Sequence, residues 1–504
     1  MTTPGFFSIA DWVVIAVYLL GIIGLGVWFG KDQRNTRDYF LGSKNIPWWG
    51  IGLSIVAAET SALTIIGVPA MAYGDNMAFI QMIVGYVIAR IILAVVMVPH
   101  YFKGEIYSPY QLLENSFGPG ARRTASLFFI LMETLAAGVR VYVACIPVQL
   151  MLFGAIPTDQ ALSDRQVIIA VVLFVGLSLI YTYIGGVKAV IWTDAVQFGL
   201  FLAGGIFTLF YIPTLIDGGL WGYSTVLFEA LQAGKTHWLN TAFSWGAPFN
   251  IWMGVIGGTV LVLSTHGAEQ LIVQRVLACQ NVRDGRRALA LSAVLIFPLF
   301  LIFLLVGVML WVYYQYFKLA IPLPEARPGI KANDFIYPIF MVTAVPHVLK
   351  GFLIVAILSA AMSSVSSALT ALASVSTMDV MKGFLKRAKD DEFFLRFSKR
   401  STVFWAVALI LVAFLSRKNE SVLNAAFGLR GLTSGALLGS LALTLFWKKG
   451  SSVPVVIGMF AALAVMTVVF LETKIFWPWY TLIGTVVALS VASVARMIFR
   501  DEKV

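Results

Sequence analysis

The residues of this chain with the most chemistry in them lie within apolar surroundings. Glu59, Thr60, Ser61 and Thr64 interrupt the run SIVAAETSALTIIGVPAMAY, which also holds Gly67 and Pro69. Ser363, Ser364, Ser366 and Ser367 crowd the run AILSAAMSSVSSALTALASVST. There 363, 366 and 367 share one helical face, 364 meets 367 at i, i+3, and Thr370 and Ser374 extend the stripe. Such hydroxyls serve one of two purposes: oxygen ligands for a hard cation, or a small-residue surface for close helix packing. Asp194, in YTYIGGVKAVIWTDAVQ, sits one or two turns into another apolar run. Its carboxylate needs a partner, either a cation shared with the serine hydroxyls or interfacial water. Arg140 stands midway along LMETLAAGVRVYVACIP and stays ionised. Its counter-charge is a substrate carboxylate gripped by parallel hydrogen bonds, or Glu59 or Glu133; otherwise it faces a water-filled vestibule.

The elements that must position these groups are transmembrane helices. Hydrophobic residues make up 59% of the 504 and charged residues 12%, about half the ~25% of soluble chains; the mean hydropathy is +0.87. Thirteen apolar stretches of roughly spanning length occur at 7–29, 47–72, 77–101, 123–153, 164–184, 188–213, 248–276, 287–316, 346–380, 399–416, 421–446, 452–472 and 475–499. The longest polar connections, 214–247, 317–345 and 382–398, are too short for a soluble domain. The first stretch lacks the basic flank and cleavage site of a removed signal peptide. Polar groups at bilayer depth are costly unless they face protein, water or a ligand, so they mark a site.

The net charge of +11 resides mostly in alternate connections, including Lys31, Arg34 and Arg37, then Arg275 with Arg283, Arg286 and Arg287. The connection after the ninth stretch adds Lys382, Lys386, Arg387, Lys389, Arg396, Lys399 and Arg400. This positive-inside bias puts the N-terminus outside and the C-terminus inside, and calls for no nucleic acid. Arg90, Arg140 and Arg430 fall inside stretches, and Arg90 and Glu133 are read as lining aqueous vestibules. Cys145 and Cys279 read as small buried apolar residues. His100, His237, His266 and His347 have no metal-ligand spacing, and His266 reads as a packed, hydrogen-bonded histidine. No nucleophile–base pair, metal cluster or cofactor motif is present, so the chain is not read as an enzyme.

The seventh stretch, IWMGVIGGTVLVLSTHGAEQLIVQRVL, repeats the theme of the second. Gly254, Gly257 and Gly258 weaken it, and Ser264, Thr265, His266, Gly267, Glu269 and Gln270 form another polar knot. Two interrupted spans five apart are the pattern of two inverted repeats sharing a midplane site; glycine-rich packing is the alternative.

Together DYFLGSKNIPWWGIGLSIVAAETSA, YTYIGGVKAVIWTDAVQ, EQLIVQR and AAMSSVSSALTALAS resemble the sodium/solute symporter family, over most of the chain. The resemblance implies an all-α polytopic fold with a LeuT-type 5+5 inverted-repeat core and about thirteen transmembrane helices. On that pattern 1–46 is an extra helix and loop, 47–213 and 248–446 are the repeats, and 452–504 holds two C-terminal helices.

The resemblance further implies a sodium site of the Ala57, Thr60 and Ala360 carbonyls with the Ser363 and Ser364 side chains. Some members bind a second sodium, for which the matching positions are Ser363, Ser366, Ser367 and Asp194. Substrate contacts carried over in the same way are Thr60, Ser61, Thr64, Phe79, Arg140, Glu269 and Gln270. In the sialic acid branch an arginine on the fourth span grips the substrate carboxylate; Arg140 lies about one turn from it. Glu59 matches an acidic residue of proline-type members that bears on sodium coupling. The expectation is a symporter taking one or two sodium ions and a small polar solute, preferably a carboxylate, across a cell membrane, by its compactness a bacterial inner membrane. A monomer suffices, with the lipid bilayer as surroundings. The alternatives are a neutral sugar or polyol as solute, or proton coupling through Glu59 and Asp194.

Overall fold

The computed structural model describes residues 6–31, 33–153, 164–217, 221–323, 332–384, 390–416, 420–447 and 449–499. Among them the regular structure is entirely helical. Among the described residues, eight helices are long and apolar enough to cross a membrane, and nine if one bent pair counts as a single span. Lys386, Arg387 and Lys389 lie outside the described residues, as does the Arg430 side chain.

In chain order the principal helices are α1 (Ile9–Phe29), α2 (Trp48–Glu59), α3 (Ala62–Gly74), α4 (Ile80–Val96), α5 (Pro119–Phe153) and α6 (Asp164–Asp217). After a π-helical turn at Met253–Gly258 come α7 (Thr259–Gly267), α8 (Gln270–Leu277) and α9 (Val282–Tyr316). Then α10 (Leu349–Ser374) runs into a second π-helical segment, Val375–Met381. The chain closes with α11 (Asp391–Ser416), α12 (Glu420–Phe446), α13 (Ser452–Glu472) and α14 (Tyr480–Ile498).

Three interruptions shape this arrangement. The α2–α3 pair bends by 62°, and α7 and α8 are separated by Ala268 and the extended Glu269. Both polar knots anticipated from the sequence are therefore breaks. The third is Gly186, whose φ of 51° and ψ of −153° divide the 54-residue α6 into two lengths. Only glycine adopts that conformation without strain, and a Cβ there would also collide with the Tyr39 carbonyl.

Burial sorts the helices by their surroundings. In α10, 94% of the apolar window is buried, against 17% in α1. α10 packs against α6, α5, α1, α11 and both halves of the broken pair. This is why its serines, costly at a lipid face, are tolerated. Around the outside, Val17, Leu20, Val95, Leu131, Phe210, Val294, Leu411, Val468 and Val494 are all exposed. So large an apolar surface requires an apolar solvent, and the chain is a multi-pass membrane protein.

Candidate functional site

Helix α2 ends inside the protein because Thr60 and Ser61 take extended backbone angles, φ −79°, ψ 109° and φ −103°, ψ 172°. Short hydroxyl side chains pay for this by bonding locally. Thr60 Oγ1 donates to the Val56 carbonyl at 2.8 Å. The Ser61 amide, which would close the helix on Ala57, donates to Thr64 Oγ1 at 3.3 Å. The Thr64 amide goes to the Ser61 carbonyl at 2.9 Å instead of to Thr60. The Ala57 and Thr60 carbonyls thereby lose the donors an unbroken helix would supply.

Facing this break, Ser364 on α10 bonds back to the Ala360 carbonyl at 3.0 Å. A cavity of about 10 Å³ lies between them, bordered by Ser61, Ala62, Arg140, Ala361, Ser364 and Val365. That is near the ~10–15 Å³ a single water requires.

A second cluster lies further along the same helix. Ser363 Oγ donates to Asp194 Oδ1 at 2.6 Å, and Ser54 Oγ to Oδ2 at 2.6 Å. Ser366 and Ser367 both donate to the Ser363 carbonyl, at 3.0 and 2.6 Å. The Asp194 counter-charge is Arg275, whose Nη2 is 2.9 Å from Oδ2. The charge map drawn from the sequence put Arg275 in a cytoplasmic connection. The structure corrects this: Arg275 belongs to α8 and is fully buried.

Above the break opens a cavity of about 560 Å³. Its wall takes Glu59 from α2, Tyr86 from α4, Arg140 from α5, Thr265 and His266 from α7, and Ser434 from α12. Phe470, Trp477 and Tyr480 line it where α13 meets α14, so it opens toward that end of the bundle. Glu59 is ion-paired with Arg90, and His266 Nε2 is 3.1 Å from Arg90 Nη2. His266 Nε2 accepts there, so Nδ1 carries the proton and donates to Thr265 Oγ1 at 2.9 Å. The imidazole is thus hydrogen-bonded, as anticipated, but it also borders the cavity. Arg90 is fully buried rather than lining a vestibule, and so is Glu133. Glu133 pairs with Arg140, two helical turns along α5.

The anticipated solute contacts divide. Arg140 borders both cavities, and Ser61 borders the small one. Phe79 packs edge-on to Phe249 at 4.9 Å and beside Phe300 at 5.8 Å, in an aromatic cluster. Gln270 is buried, donating to the Tyr107 carbonyl at 2.7 Å and to Ser374 Oγ at 3.1 Å. Glu269 is buried in the α7–α8 break, and Thr60 and Thr64 are engaged in the helix break itself. Residues that the sequence reading did not single out are Ser54, Tyr86, Arg275, Ser434, Trp477 and Tyr480. A signal existed only for Arg275: Gln270, Gln274 and Arg275 recur at helical spacing within an apolar run.

The model for the sodium:solute symporter family matches residues 39–462. The sodium/sialic acid symporter SiaT of Proteus mirabilis is 28% identical over 99% of this chain and 97% of its own length. The sodium/glucose cotransporter of Vibrio parahaemolyticus is 26% identical over 98% and 92%. Among solved structures, the substrate-bound outward-open state of a Na+-coupled sialic acid symporter aligns with a TM-score of 0.87. It is 26% identical, and the alignment covers 99% of both chains.

Proposed function

We propose a transport cycle for a chain that belongs to the sodium:solute symporter family: sodium-driven import of a small polar solute by alternating access. The relatives are sodium-coupled transporters, not enzymes. The observation carrying the proposal is the α2–α3 break, which frees the Ala57 and Thr60 carbonyls from helical donors, together with a small void beside it bordered by Ser61, Ala62 and Ser364. Sodium would be ligated by the Ala57, Thr60 and Ala360 carbonyls and by Ser363 and Ser364. Ligation from both sides ties the broken helix to α10, so the ion favours the conformation in which the larger cavity is formed. Solute then binds beside Glu59 and Arg140, and rocking of the bundle releases both on the other face. On this reading thirteen spans leave the N-terminus outside a cell membrane, a bacterial inner membrane, and the cavity opens outward.

The solute is a small carboxylate such as a sugar acid, amino acid or monocarboxylate. Arg140 supports this, because it alone brings a cation to the wall of both cavities among the described residues. The pairing of Arg140 with Glu133 favours a second reading, a neutral sugar or polyol, because that guanidinium already has its counter-charge. Proton coupling is disfavoured. Glu59 and Asp194 each face an arginine, and protonating either would strand a buried guanidinium.

Thermal unfolding of the purified protein in sodium or choline chloride, with a panel of carboxylates and neutral sugars, tests this. A ligand of the native state raises apparent stability. A sodium-specific rise that grows with one carboxylate and is lost in Arg140→Ala supports the first reading. A response to neutral solutes alone supports the second, and indifference to sodium overturns both.

A further inference from the structure

The position that some relatives' pattern would assign to a second cation holds a positive charge belonging to the protein itself. The Arg275 guanidinium reaches Asp194 Oδ2 at 2.9 Å and Ser367 Oγ at 2.5 Å through Nη2, and Ser54 Oγ at 2.8 Å through Nε. Its Nη1 donates to the Leu271 carbonyl at 2.5 Å. Four of the five guanidinium donors are thus satisfied. Two of those bonds fall on Asp194 and Ser367, oxygen atoms that a metal ion at this place would need.

We infer that Arg275 is a tethered internal cation that closes the Asp194 position to sodium, so that the chain binds one sodium ion, at the α2–α3 break. The inference rests on the symport reading above. Its physics is charge balance in a buried volume. The hydrogen-bonded cluster contains one carboxylate and one guanidinium, and an arginine does not lose its proton to make room. Sodium added beside it would leave an uncompensated positive charge where Ser54, Asp194, Arg275, Ser363 and Ser367 are all buried. Entry would require the guanidinium to leave. That means breaking four hydrogen bonds, three to residues on other helices and one to the Leu271 carbonyl of its own helix. A single sodium ion moving with a monoanion makes the cycle electroneutral.

Equilibrium binding of radiolabelled sodium to the purified full chain tests this without knowledge of the solute. The expected result is one ion per wild-type chain, with a non-cooperative isotherm. Arg275→Gln removes the charge and should admit a second ion. That added ion should disappear again in Arg275→Gln/Asp194→Asn, because the carboxylate is what draws it. Arg275→Lys keeps the charge and should hold the count at one, which separates charge from any loss of packing. Two ions in the wild type would overturn the inference even if every variant failed to fold. So would an unchanged count of one in a folded Arg275→Gln protein. No sodium bound to the wild type would sink the symport reading and this inference together, whereas two would leave that reading intact.

Discussion

Arg90 is ion-paired with Glu59 at the residue where α2 stops being helical. A carboxylate at a helix C-terminus faces the negative end of the helix dipole, so Glu59 is unfavourable there on its own. Arg90 reaches it from α4 and in turn donates to His266 Nε2 on α7 at 3.1 Å. The broken helix is thereby anchored to its neighbours at the floor of the large cavity.

Removing one partner of this pair should cost far more than removing both. Arg90→Ala leaves a carboxylate at the cavity floor without its cation, at about 3–5 kcal/mol. Glu59→Ala/Arg90→Ala should recover much of that loss. Thermal melts of the four proteins in the cycle would show it, and additive losses would contradict the coupling.

Ser364→Ala deletes a hydroxyl at the small cavity without disturbing Asp194. Its midpoint for sodium stabilisation should rise about tenfold, equivalent to ~1.4 kcal/mol. An unchanged sodium midpoint would place the ion elsewhere.

Arg140 and Glu133 should act in opposite directions on a carboxylate solute. Arg140→Ala removes a charge-assisted contact of ~1.5–3 kcal/mol, raising the KM for uptake by about 10- to 100-fold. Glu133→Gln withdraws the competing carboxylate and should lower the KM. Parallel losses in both variants, with lower melting temperatures, would instead assign the pair to structure alone.

Gly85→Ala tests how α4 packs on the second broken span. A Cβ at Gly85 would meet the Gly254 carbonyl, the Thr259 amide at 2.7 Å and the Gly258 backbone at 3.0 Å. Backbone atoms cannot swing aside, so a cost of roughly 1–3 kcal/mol is expected in the melting curve. Gly67→Ala, where a Cβ meets nothing within 4 Å, is the control.

Cys279 lies between α8 and α9, fully buried, and burial pushes its thiol up from the ordinary range. Folding therefore favours the neutral thiol. That contribution is complete below the unfolded pKa of ~8.5 and is lost as pH rises toward the folded value. Labelling by a thiol reagent should be slow in the native protein, and unfolding should release it. Fast native labelling at neutral pH would contradict the buried placement.

The parts of the site that were legible in the sequence are those that break a local pattern. Glu59 to Thr64, Ser264 to Gln270 and the serine stripe stand out because polar groups are expensive at bilayer depth. Gly186 is legible only as part of a recurrent motif, since its positive φ follows from the close approach of Tyr39 and not from its neighbours in the chain. Phe79 and Gln270 look like cavity residues by position, yet an aromatic cluster and the Tyr107 carbonyl take them elsewhere. Their partners are remote in sequence.

The amino-acid sequence on its own therefore determined the solvent, the apolar helices and the two places where they must break. Each of these follows from local composition and the cost of burying polar groups. Only the tertiary structure decided which charge answers which. Arg275 answers Asp194 across 81 residues, Arg90 answers Glu59 across 31, and Arg140 turns back to Glu133 on its own helix. Ion pairing in a buried volume depends on distance and on the exclusion of water, and both are set by how the helices pack.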